Sequence, residues 1–139
     1  MPAVRRQIMV RAAPRRVWAS LTTPEGLASW WVDEARMEPR QGGRVWLRSE
    51  DDNGDPVEDR GMVHVWRPTS HLEIHFDSVG KSPLAGTRLT FQVAYVGEES
   101  RISLVHSGSA LDDEETNTRF DTDWKRAMAS LQSILDVEG

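Results

Sequence analysis

The sequence predicts an α+β domain: a seven-stranded antiparallel sheet, two short helices after the first strand, and a long helix closing the chain. Three observations predict it. Residues 34–107 alternate apolar and polar side chains in runs broken by turn signals such as Gln41-Gly42-Gly43, Asn53-Gly54 and Pro68-Thr69-Ser70, the pattern of hairpins with one buried face. Phe120, Trp124, Met128, Leu131 and Leu135 recur at helical spacing, which predicts an amphipathic helix. Pro14 and Pro24 stand ten residues apart, each suited to the first position of a helix.

The elements follow in order. Val4 to Arg11 reads as a strand with Ile8 and Val10 on one face. Two helices are expected in tandem, about Pro14–Leu21 and Pro24–Trp30, with Thr23 as N-cap of the second and Gly26 weakening it. A short strand holds Arg36 and Glu38, and the next alternates Val45 and Leu47 with Trp46 and Arg48. A third run sets Met62, His64 and Trp66 against Val63 and Val65. A fourth sets Leu72, Ile74 and Phe76 against His71, Glu73 and His75. Leu89, Phe91, Val93 and Tyr95 share a face, as do Ile102, Leu104 and His106. The last helix spans about Glu115 to Asp136, with acids crowding its start at Asp112 to Glu115, where the helix dipole favours them. It should cover the apolar face of the meander. The adjacent Trp30 and Trp31 would point about 100° apart if both were helical, so one is expected to anchor the core and Trp31 to face an opening.

The totals exclude much. A chain of 139 residues has the size of one domain and buries a core without staples. It has no cysteine, so disulfides and thiolate chemistry are excluded. No run approaches the ~18 apolar residues of a membrane span, and the N-terminus lacks a signal-peptide stretch; the expected setting is cytoplasmic, with no membrane partner. A net charge of −5 argues against nucleic acid. The charge is uneven: residues 1–48 carry a net +5 and residues 49–139 a net −10.

Motifs narrow the chemistry further. Asp51, Asn53 and Asp55 resemble the start of a calcium loop, but the positions that need Gly and Glu hold Pro56 and Met62. Gly80-Lys81-Ser82 lacks phosphate-loop spacing, and Ser109 lacks a nucleophile-elbow context. Of the histidines, His71 and His75 lie four apart on one strand, roughly 13 Å, too far to share an ion. His64 and His106 sit three strands apart, about 14 Å. No metal and no cofactor are expected.

Five stretches in order carry a family resemblance. They are "APRRVWASLTTPEGLASWW", "QGGRVWLR", "GMVHVWRPTSHLEIHF", "TRLTFQV" with "SRISLVHSG", and "DWKRAMASLQSIL". Together they resemble the START-like (SRPBCC) helix-grip superfamily, in the branch related to the C-terminal domain of the activator of the 90-kDa heat-shock-protein ATPase, over about residues 4–136. The resemblance implies one helix-grip domain over residues 1–139, with a cavity between the C-terminal helix and the concave sheet. The co-chaperone proper has a separate N-terminal domain, for which 139 residues leave no room, so ATPase activation is not expected.

The expected function is binding of a small hydrophobic or aromatic ligand. Phe120, Trp124 and Met128 would line the cavity from above, Trp66, Phe76, Phe91, Tyr95, His64 and His106 from below, and Trp31 at its mouth. Two alternatives stay open. One is a cyclase- or hydrolase-like enzyme with His106 or His64 as acid/base and Tyr95 as proton donor, against which the predicted concave face holds no Asp or Glu to orient the histidine. The other is a protein-interaction role, a chaperone among its partners, with the arginine-rich end meeting an acidic surface.

Overall fold

The computed structural model describes residues 3–80 and 82–138. Strand β1 (Val4–Val10) leads into helices α1 (Pro14–Thr22) and α2 (Pro24–Trp30). A meander follows: β2 (Glu34–Met37), β3 (Arg44–Glu50), β4 (Pro56–Arg67), β5 (His71–Phe76), β6 (Arg88–Val96) and β7 (Glu99–Ser107). A short 3-10 turn, Ser109–Asp112, precedes α3 (Glu114–Glu138). All seven strands form one antiparallel sheet in the order β1-β7-β6-β5-β4-β3-β2. The first strand therefore pairs with the last, and only β1 breaks the sequential order.

The helix pair is held by Thr23. Its hydroxyl donates to the carbonyl of Ala19 at 2.7 Å and accepts the amide N–H of Gly26 at 2.9 Å, so one side chain ends α1 and starts α2. Gly26 is expected to weaken α2, but its reason is packing: a Cβ there would run into the carbonyl of Ala19 and the Cα of Ser20. Val17, Leu21 and Leu27 are fully buried, so both helices turn their apolar sides to the sheet.

The C-terminal half of α3 is sealed onto β1 and α1. Met128, Leu131 and Leu135 are buried. The amide of Gln132 donates to the carbonyl of Met9 at 2.8 Å, the Arg16 guanidinium to that of Leu135 at 3.0 Å, and the Arg11 amide to the Asp136 carboxylate at 2.8 Å. Arg6, on the inner side of β1, reaches Asp121 at the other end of the helix in a two-pronged pair, 2.9 and 2.8 Å. Among the described residues no helix is long and apolar enough to cross a membrane.

Strand β4 departs from the expected alternation. Gly61 pairs with Phe76 and Val63 with Ile74, but then the register shifts, and Val65 faces Glu73 and Trp66 faces Leu72. This is a β-bulge, one extra residue that switches which side the following side chains take. The inward set is Asp59, Gly61 and Val63, all buried, followed beyond the bulge by Trp66. Met62, 43% exposed, and His64 point to the outer face.

Candidate functional site

The double tryptophan sits where the helix pair meets α3. Trp30 is buried and its indole N–H donates to the carbonyl of Ser20 at 2.8 Å. Trp31 is not helical; it caps α2 with φ −121° and ψ −51°. That turn removes the helical angle between the two rings, and they stack at 5.8 Å with 25° between planes. Trp31 then leans on Trp124 at 5.1 Å. Trp30 meets Phe91 edge-on at 6.1 Å, and Phe91 meets Trp124 edge-on at 6.4 Å. Four aromatic rings thus fill the gap under the middle of α3.

Behind them lies a closed polar chain. The Trp124 indole N–H can only donate, and it donates to Nδ1 of His106 at 3.0 Å. A neutral His106 then carries its proton on Nε2, 2.9 Å from the Thr87 hydroxyl. The Thr87 hydroxyl donates in turn to the carbonyl of Leu84 at 2.6 Å. His106 is fully buried, and desolvation pushes its pKa down from the ordinary 6.5 to about 4. Protonating it would set a second N–H against the indole N–H. Gly108 allows the chain to close this tightly: with φ +142°, a Cβ there would press on Thr87. Phe120 covers the imidazole edge-on at 4.6 Å. Both ring nitrogens are engaged, so His106 tethers α3 to the loop before β6.

The open space is displaced toward the N-terminal half of α3. A cleft of about 500 Å³ is lined by Trp31, Ser49, Leu84, Phe120, Trp124 and Ala127. A neighbouring hollow of about 460 Å³ shares Ser49, Glu50, Leu84, Phe120 and Asp123 and extends to Val57, Asp59 and Ser82. Its outer rim carries the ion pair of Arg119 with Asp52 at 2.7 Å, both side chains well exposed. A further hollow of about 760 Å³ is lined only by residues 113–123; with one helix and its cap on one side and nothing opposite, it is open surface.

Asp59 is the residue that sequence reasoning missed. It is 7% exposed on the inner face of β4, where burial raises its pKa above the usual 3.8 despite a hydrogen bond with Ser82. The concave side therefore does hold a carboxyl group, contrary to expectation. Strict alternation carried back from Trp66 puts Asp59, with Val63, on the outer face, and only the bulge between Val63 and Val65 brings it inward.

The other expected site residues divide. Trp31, Phe120 and Trp124 line the cleft. Phe76, Phe91, His106 and Met128 are buried in the packed core and line none of it. Trp66 faces inward but packs edge-on against Trp18 of α1 at 5.2 Å, away from the cleft. Tyr95 has the right parity but is 59% exposed, because β6 runs past the last covered position, Val93. His64 lies on the outer face, where its ring stacks on His75 at 4.1 Å, so it lines no cavity.

Residues 11–136 match the family of Activator of Hsp90 ATPase homolog 1-like proteins. The chain belongs to that family. A comparison with curated proteins finds no match. Among solved structures, the chain resembles the Aha1 dimer from Colwellia psychrerythraea, with 20% identity, a TM-score of 0.80, and 99% and 98% of the two chains covered. It also resembles protein MLL2253 from Mesorhizobium loti, with 18% identity, a TM-score of 0.82 and 99% of each chain covered. CalU16 from Micromonospora echinospora shares 18% identity with a TM-score of 0.75, over 98% of this chain and 77% of that one. At these identities the likeness shows the helix-grip fold alone, which is consistent with a ligand-binding or cyclase-like module.

Proposed function

We propose that this protein binds a small, largely aromatic molecule in the cleft between the N-terminal half of α3 and the β3–β4 hairpin. The observation that carries the reading is the cleft itself, about 500 Å³ with Trp31, Phe120 and Trp124 as its apolar wall. Ligand sites are commonly concave, mostly apolar, and furnished with a few placed polar groups. Here the charged groups are mostly acidic: Glu50 and Asp123 at the rim and the buried Asp59 in the adjoining hollow outweigh Arg126 on the cleft and Arg119, which Asp52 already pairs. An aromatic body with a cationic or hydrogen-bond-donating end fits that pairing. Burying about 300 Å² of apolar ligand surface would contribute roughly 7 kcal/mol before ordering costs.

The test is a set of naphthyl and indolyl compounds carrying either an amine or a carboxylate, followed by thermal shift and by NMR of the tryptophan indole N–H groups. The amines are expected to raise the midpoint and to move the Trp31 and Trp124 signals. Ala127→Phe, which fills the cleft, should abolish both effects while leaving the circular dichroism unchanged. If no compound moves either signal, or Ala127→Phe binds as well as the parent chain, the reading fails.

A further inference from the structure

The outer face of the sheet, on the side away from the cleft, holds a second constellation. His71, Glu73 and His75 alternate on β5 and point outward, and His64 projects from β4 at the bulge, where two residues stand opposite Glu73. The Nε2 of His75 lies 2.7 Å from Oε2 of Glu73, and the Nε2 of His64 lies 3.9 Å from the same oxygen. The two imidazoles lie nearly parallel, 15° between planes. One ligand atom from each of the three residues falls within 4.8 Å of the others.

We propose that His64, Glu73 and His75 bind a divalent transition-metal ion, with Zn2+ the best match. Two imidazole nitrogens and a carboxylate oxygen are ordinary zinc ligands, at about 2.0–2.2 Å each. Around one tetrahedral ion such atoms stand roughly 3.4 Å apart. The present spread closes to that value by side-chain rotation. The mover is His64, whose side chain is 53% exposed, whereas Glu73 is 24% and His75 32% exposed. Glu73 and His75 are held in the β4–β5 ladder, and His64 stands at the bulge between two paired positions, Val63 and Val65, so the ion meets a prepared frame.

The surroundings suit a ligand set. The Thr90 hydroxyl, on β6, donates to the other oxygen of Glu73 at 3.4 Å, the kind of outer contact that orients a ligating carboxylate. Three protein ligands leave a fourth position for water or a bound anion. Arg88 stands opposite His75 on β6 and is the one cation among the cross-strand partners of Glu73 and His75, which favours an anion in that fourth position.

The sequence pattern hides this site. Of the histidine pairs, His71 with His75 and His64 with His106 are each too far apart. The pair that meets, His64 with His75, belongs to neighbouring strands, and only their register brings it together.

Zn2+ titration of the tag-free full chain by calorimetry, with Co2+ absorption as a coordination probe, tests the site. One saturable Zn2+ per chain is expected, with a visible Co2+ band. His64→Gln, His75→Gln and Glu73→Gln should each weaken binding at least about tenfold, since even outer-shell partners are worth that much. His71→Gln, on the same face but outside the cluster, should bind as the parent chain does. All four positions lie outside the packed core, and an unchanged NMR amide spectrum checks that each variant folds. No saturable binding, or binding that survives both His64→Gln and His75→Gln, would overturn the assignment. Failure of the aromatic-ligand reading leaves this test untouched, because the two sites lie on opposite faces of the sheet.

Discussion

The two halves of α3 face the same sheet and do different things with it. From Met128 onward the side of the helix facing the sheet is sealed by three buried apolar side chains and by hydrogen bonds with Met9, Arg11 and Arg16, while Ser130 on another side still reaches the cleft. Before Trp124 it stands off on the side of the β3–β4 hairpin: Asp121 still pairs with Arg6 of β1, but toward the hairpin it presents only Phe120, half-buried, and exposed charges such as Arg119 and Asp123. Trp124 and the His106–Thr87–Leu84 chain mark the boundary. The difference teaches that the grip is not uniformly hollow. Its own tryptophans fill the centre, and the vacancy survives only where α3 meets a hairpin rich in acids.

The largest expected effect lies at the boundary. Trp124→Ala removes a buried ring, its three ring contacts with Trp31, Phe91 and His106 and the donor to His106, and should destabilise by about 3–5 kcal/mol in urea unfolding. Phe120→Ala, on the open side, should cost visibly less. Equal losses would erase the distinction between the halves.

Next comes pH. His106 binds its proton near 4 when folded and near 6.5 when unfolded, so the unfolded state takes up more protons in between. Its neutral, buried form therefore supports stability fully above about pH 6.5, and that support, on the order of 3 kcal/mol, drains away as pH falls toward 4. Denaturant midpoints measured across this window should show the slope, and His106→Gln should flatten it.

Smaller still is the contrast along the sheet. Trp66→Ala, which loses the Trp18 contact, should cost about 2 kcal/mol, while Tyr95→Ala should stay within about 0.5 kcal/mol. Comparable thermal midpoints would contradict the register shift in β4. On the open side, Asp59→Asn should stabilise slightly at neutral pH, since burial disfavours the carboxylate there; unchanged midpoints would mean that water reaches the group. Arg119→Ala should change stability least, under about 1 kcal/mol, because that ion pair is exposed.

The elements were legible because each has a local cause. Proline at N1, the Thr23 cap and helical spacing define the three helices to within about two residues. Turn dipeptides delimit the strands. Trp31, Phe120 and Trp124 were also placed at an opening, through likeness to a family. Trp66 was placed on the right face but packs on Trp18 instead of lining the cleft, and His64 and Tyr95 were misplaced for identifiable reasons. Strict alternation was carried through a bulge that no residue type announces, and parity says which side a chain faces, not whether anything covers it.

What this sequence determined by itself is the list and order of its elements, since helical and strand periods, caps and turns are set by near neighbours along the chain. The tertiary structure alone decided which aromatics fill the grip, where it stays open, and which histidines meet. Those outcomes depend on strand register and on packing between residues far apart in sequence, and neither is written in any local stretch.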